Sequence, residues 1–192
     1  MSLRFPAEWE PQSAILLAWP HAGTDWAERL DAVEATYAAL AAAILRFQPL
    51  VLCVADAAVR TAAMARLEAA GARLDRLRCI EVPYDDTWLR DSGPITLVGP
   101  AGFHLLDFRF TGWGGKFEAS DDDLLVERLH AAGLFGQASR ERVEFALEGG
   151  GIETDGRGSL LTTWRCLSER HPDLPREAIS DVLRTHLRQA RV

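Results

Sequence analysis

The sequence predicts an α/β fold. Two continuous apolar runs of strand length, residues 14–19 and 50–54, are each followed by a segment with helical periodicity. Further on, short strand patterns come as neighbours before the next helical segment, which suits hairpins alternating with helices. At 192 residues, 48% hydrophobic and 26% charged, the chain can bury a core for one domain, or one and a fraction.

Each element has a local reason. Pro6-Ala7-Glu8-Trp9-Glu10-Pro11 is an extended, proline-bounded lead-in, and the run at 14–19 is a strand stopped by Pro20. Asp25, with Glu28 three residues on, reads as a capping box for an amphipathic helix over about 26–47. Leu30, Val33, Tyr37, Leu40, Ile44 and Leu45 recur there at helical spacing. Pro49 resets the chain for a buried strand at 50–55. Asp56 caps an alanine-rich helix that Gly71 closes, and 77–82 is the next strand. Residues 95–98 and 103–108 form a hairpin through Gly99-Pro100-Ala101-Gly102, with His104 facing solvent. Ser120 with Asp123 caps a helix through about 132, and 143–147 is a strand. The Asp155-Gly156-Arg157-Gly158 turn leads to a strand at 160–163, and 175–187 is a last amphipathic helix. No stretch reads as a linker.

Composition narrows the function classes. The net charge of -7 and the lack of any basic run argue against nucleic-acid binding. No apolar run approaches a membrane span, and Met1-Ser2-Leu3-Arg4 lacks the apolar core of a signal peptide, so a cytoplasmic chain is expected. Three cysteines, Cys53, Cys79 and Cys166, match neither a disulfide framework nor a zinc pattern. Asp85, Asp86 and Asp91 lack the ligand spacing of an EF-hand loop, so neither metal nor cofactor is implied.

Two sites carry chemistry. The first is Asp85-Asp86-Thr87-Trp88-Leu89-Arg90-Asp91-Ser92-Gly93-Pro94, an acid-rich loop with a flat aromatic, which suits a small planar cation. The second is Glu148-Gly149-Gly150-Gly151, a carboxylate at a strand end that glycines can swing into a cleft. A glycine-rich phosphate loop would need a following helix and a lysine, and a strand follows here instead. Between them, Gly112-Trp113-Gly114-Gly115-Lys116 turns tightly around a tryptophan, as an irregular loop or as a ligand wall.

These motifs together resemble the agmatine deiminase family, also known as bacterial-type (Porphyromonas-type) peptidylarginine deiminases. The resemblance runs from Pro6-Ala7-Glu8-Trp9-Glu10-Pro11 and Leu17-Ala18-Trp19-Pro20-His21 through Trp88-Leu89-Arg90-Asp91-Ser92-Gly93-Pro94 and Gly112-Trp113-Gly114-Gly115-Lys116. It continues through Leu147-Glu148-Gly149-Gly150-Gly151-Ile152-Glu153 to Leu160-Leu161-Thr162-Thr163 and Cys166-Leu167, in the family's order. It implies an α/β-propeller (pentein) of ββαβ units, here an incomplete propeller of about half the family's length, with the whole chain as the N-terminal part of one such domain. It also implies a cysteine-dependent hydrolase that converts agmatine to N-carbamoylputrescine and ammonia in putrescine synthesis. Carried over by residue, Asp91 grips the substrate guanidinium, Glu148 binds it and helps proton transfer, and Trp88, Trp113 and Gly114 line the channel.

The family's catalytic histidine, in an Asp-Gly-His-x-Asp segment, and its nucleophilic cysteine are not matched in these residues. Cys166 corresponds to a different family cysteine, in a strand-end loop, that is not the nucleophile. The expectation is therefore that the 192-residue chain alone does not deiminate, and that open propeller edges promote self-association. Peptidylarginine or free arginine is the alternative substrate, for which Arg109 or Lys116 would supply a basic partner. A guanidinium- or polyamine-binding fragment without chemistry is the alternative class. An enzyme using Cys79 or Cys166 is weaker, since neither has a histidine nearby in sequence.

Overall fold

The computed structural model describes residues 3–192. They form two compact units, one from residues 11–89 with 120–122, the other from residues up to 10, 90–119 and 123–192.

In the first unit, β1 (Ile15–Ala18), β2 (Leu50–Val54) and β3 (Leu77–Glu81) make a parallel sheet in that order, with Ile15 beside Leu50 and Leu50 beside Leu77. Parallel neighbours need long crossovers, and helices Leu30–Leu45 and Ala57–Ala69 supply them. The central strand β2 is almost wholly buried, which is why it reads as an unbroken apolar run. Trp19, Leu45, Leu50, Leu52, Val54 and Leu67 form the core. The Trp19 indole donates to Glu34 at 3.0 Å, and Arg66 Nε reaches the other oxygen of that carboxylate at 2.9 Å. Burial pushes the Cys53 thiol up to about 12 and raises Cys79 as well, so neither is a thiolate at neutral pH.

Asp56 caps the second helix as expected, accepting from the Val59 N–H at 2.8 Å. The first helix departs from expectation. Residues Ala27–Arg29 form a short 3-10 turn without a side-chain cap, and the α-helix starts at Leu30. The Asp25 N–H instead donates to Asp86 at 2.9 Å, and the Trp26 indole donates to Thr87 at 2.8 Å. Long-range bonds to the acidic loop thus set the chain direction that a local capping box was expected to set.

The same loop corrects a second cap. The Ser120–Ala131 helix has no side-chain cap at its N-cap residue Ala119. Asp85 accepts from the first-turn N–H groups of Asp121 at 2.7 Å and Asp122 at 3.2 Å. In return, Asp122 accepts from the N–H groups of Asp85 at 2.9 Å and Asp86 at 3.3 Å. The carboxylate at the helix start is brought from far away in sequence, where pattern reading cannot find it.

In the second unit, β4 (Ile95–Gly99) and β5 (Gly102–Arg109) form the expected hairpin, and β6 (Ser139–Ala146) pairs parallel to β5. With the intervening Ser120–Ala131 helix, the order is ββαβ. A second hairpin, β7 (Ile152–Thr154) with β8 (Leu160–Thr162), precedes helices Trp164–Arg170 and Arg176–Leu187. Ile179, Leu183 and Leu187, four residues apart, lay one helix face onto a core that includes Leu97, Leu106, Phe108, Phe145 and Leu147.

Two further expectations fail here. His104 does not face solvent: its side chain is 17% exposed and hydrogen bonds Ser139 at 2.7 Å and Glu141 at 3.0 Å. The parallel neighbour β6 covers it, and sequence alone does not reveal which strands pair. Cys166 lies on the Trp164–Arg170 helix rather than in a loop; that helix buries only Leu167, too little to leave a periodic signal. No helix among the described residues is long and apolar enough to cross a membrane.

Asp122 is 2% exposed, and burial pushes its carboxyl from the ordinary 3.8 up to about 6. The folded state then keeps a proton that the unfolded chain gives up, so this group's contribution to stability falls as pH rises through that window. Asp122→Asn keeps the accepting oxygen without the charge. Its stability relative to the parent, from urea unfolding, is expected to rise between about pH 4 and pH 6 and then level off.

Candidate guanidinium site

The acid-rich loop ends in a single helical turn, Leu89–Ser92, that carries Asp91. Asp91 Oδ2 accepts from the Trp113 indole at 2.9 Å, and Oδ1 accepts from the Gly150 N–H at 2.9 Å. A Cβ at Gly150 would collide with Asp91 Oδ1, and one at Gly149 would collide with the Arg90 carbonyl. The glycines after Glu148 are therefore there for close approach, as much as for turning.

Trp113 reaches Asp91 from an unusual backbone. Gly112, Trp113, Gly114 and Gly115 all have positive φ, and the N–H groups of Gly115 and Lys116 bond the carbonyls four residues back at 2.7 and 3.0 Å. This is one turn of left-handed helix. Three glycines adopt it freely, whereas Trp113 (φ 58°, ψ 43°) bears a penalty of about 1–2 kcal/mol. Edge-on contacts with Phe110 at 5.2 Å and Phe117 at 5.6 Å hold the indole in place.

Glu148 follows the end of β6. A register shift between Phe108 and Arg109 ends the regular pairing, and the Leu147 N–H still reaches the Arg109 carbonyl at 3.2 Å. The Glu148 side chain is only 10% exposed, and Arg170, 7% exposed, donates from Nε to its Oε1 at 2.6 Å. Removing one partner of such a buried pair costs about 3–5 kcal/mol, because the other charge stays buried alone.

Asp91, Trp113, Gly114 and Glu148 thus converge within one unit. Trp88 belongs to the other unit, where it is 38% exposed and lies tilted against Trp26 at 5.5 Å. Asp85 and Asp86, also there, direct their carboxylates at backbone N–H groups. Of the acid-rich loop, Asp91 is the carboxylate joined to the glycine run. Arg170 was not expected; it stands in the charged stretch Ser168-Glu169-Arg170-His171, which offers no sign of a buried partner. Its neighbour His171 stacks on Phe145 at 3.7 Å and bonds the Ala146 carbonyl at 2.9 Å, which anchors that helix end near β6.

Chemically, two carboxylates beside an aromatic ring form an acceptor set for a flat, multiply donating cation. Each carboxylate keeps lone pairs beyond those already used. Gly150→Ala is expected to displace Asp91 and lower the unfolding free energy by about 1–3 kcal/mol, measurable by urea denaturation. An unchanged midpoint would show that the close approach at Gly150 is not needed.

Comparison with known proteins matches residues 4–192 to the family described as Porphyromonas-type peptidyl-arginine deiminase. An agmatine deiminase of Stutzerimonas stutzeri is 38% identical over 194 residues, covering 95% of this chain and 50% of that protein. One of Ectopseudomonas mendocina is 37% identical, with the same two shares. Among solved structures, the agmatine deiminase of Enterococcus faecalis superposes with TM-score 0.87 at 28% identity, over 99% of this chain and 52% of that one. The agmatine deiminase of C. jejuni with substrate bound gives TM-score 0.88 at 25% identity, over 99% and 55%. The chain spans about half the length of the curated relatives it matches.

Proposed function

Because the chain belongs to the Porphyromonas-type peptidyl-arginine deiminase family, we propose that it supplies the guanidinium-gripping carboxylates of a guanidine-deiminating hydrolase. The observation that carries this is the convergence of Asp91 with the backbone two residues past Glu148. Asp91 and Glu148 accept from N–H groups of the substrate guanidinium and fix its central carbon for attack. Trp113 and Gly114 form a wall of the site, and the aromatic face adds cation–π attraction.

Agmatine is the substrate favoured, since the matched relatives are agmatine deiminases. A cysteine thiolate attacks the guanidinium carbon, and an amine nitrogen takes a proton and leaves as ammonia. Water then cleaves the carbon–sulfur bond, restoring the thiol and releasing N-carbamoylputrescine. Glu148, the carboxylate at the reacting end, assists the proton transfers. Burial holds Cys53 and Cys79 as thiols, and the family's histidine and nucleophile motifs are not matched in these residues, so both groups are assigned to the part of the family's length this chain does not span. The ββαβ order of β4 to β6 supports a propeller architecture in which such units surround the site. A cytoplasmic role in polyamine synthesis fits this reaction.

Titration calorimetry of the purified chain is expected to show agmatine binding that Asp91→Ala weakens at least about tenfold, the value of one charge-assisted bond. A colorimetric ureido assay is expected to show no turnover. Tighter binding of arginine or a peptidylarginine would overturn the substrate assignment. Ureido release by this chain would overturn placing the nucleophile elsewhere.

A further inference from the structure

Resting on that reading of the site, we infer that Arg170 is a positioning residue for Glu148: an internal guanidinium that sets the carboxylate's orientation and leaves one oxygen for the substrate. Its Nε donates to Oε1 at 2.6 Å, with both side chains nearly excluded from water. A single bond from Nε engages one oxygen and leaves Oε2 for a second donor. The substrate then meets Glu148 through one oxygen, with Asp91 as the other carboxylate.

The geometry also shows why arginine is required. Its guanidinium lies against Gly114, where a Cβ would approach Nη1 to 3.0 Å and Cζ to 3.6 Å. Gly114 follows Trp113, whose indole holds Asp91, and Asp91 holds Gly150, two residues past Glu148. The constraints close into a ring: Asp91, Trp113, Gly114, Arg170, Glu148, Gly150 and back to Asp91. Arg170 is the member that ties the left-handed turn to Glu148. It cannot readily leave as a competitor for the site, because the stacking of His171 on Phe145 and its bond to Ala146 anchor the adjoining backbone. A lysine would bring the charge as a point without the directed Nε bond.

The test is agmatine titration of the 192-residue chain carrying Arg170→Lys, Arg170→Gln, Glu148→Gln, Asp91→Ala, or Arg170→Lys with Glu148→Gln. Circular dichroism selects the variants that remain folded. Arg170→Lys keeps the buried charge and is expected to fold, with agmatine affinity reduced about tenfold, and Arg170→Gln, where folded, is expected to lose more. In the Glu148→Gln background, Arg170→Lys is expected to add no further loss, which a purely structural role would not produce. A folded Arg170→Lys chain that binds agmatine as the parent does, while Asp91→Ala does not bind, overturns the inference and leaves the site reading standing. Tighter binding by Arg170→Lys overturns it too, by showing that Arg170 competes with the substrate. Absence of agmatine binding by the parent chain overturns the site reading, and the inference with it.

Discussion

The Asp91 carboxylate joins two segments that are distant in sequence. One oxygen takes the indole of a tryptophan in a left-handed turn, and the other takes a backbone N–H of the glycine run after β6. The rest of the candidate site follows from this. Gly149 and Gly150 must lack side chains because Asp91 and the Arg90 carbonyl lie where a Cβ would be. Trp113 adopts a positive φ in the turn that presents its indole N–H to the carboxylate. Glu148, fixed to the same glycines, is brought to the same place.

The protein handles buried charge in two ways. Glu148 and Arg170 share a nearly dry pair, in which each carries the other's desolvation cost. Asp122, equally buried, meets backbone N–H groups and two neighbouring aspartates, and its carboxyl is pushed up to about 6. The first arrangement pairs a carboxylate with a guanidinium, whereas the second joins a loop to a helix start through a carboxyl that ionises less readily than usual. The acidic residues at 85–91 therefore hold different partners despite their adjacency: Asp85 and Asp86 take N–H groups near helix starts, and Asp91 takes the Trp113 indole and the Gly150 N–H.

Much of the fold was legible because its signals are local. The apolar runs of β1 and β2, the Asp56 cap, the β4–β5 hairpin and the last amphipathic helix rest on periodicity and turn chemistry within a few residues. Asp91, Trp113 and Glu148 were legible as motifs with unusual glycine neighbours. Where expectations failed, the cause was mostly a partner distant in sequence. Asp85 caps a helix that begins 35 residues later, β6 covers His104, and the acidic loop redirects the start of the first helix.

The sequence by itself determined most of the element types and the family, because these reside in patterns of neighbouring residues. Only the tertiary structure decided which acids face the site and which hold backbone, and only it revealed Arg170. An ion pair between residues 148 and 170 leaves no periodic trace; it exists because the end of β6 and the end of a short helix are packed together where water cannot compensate either charge.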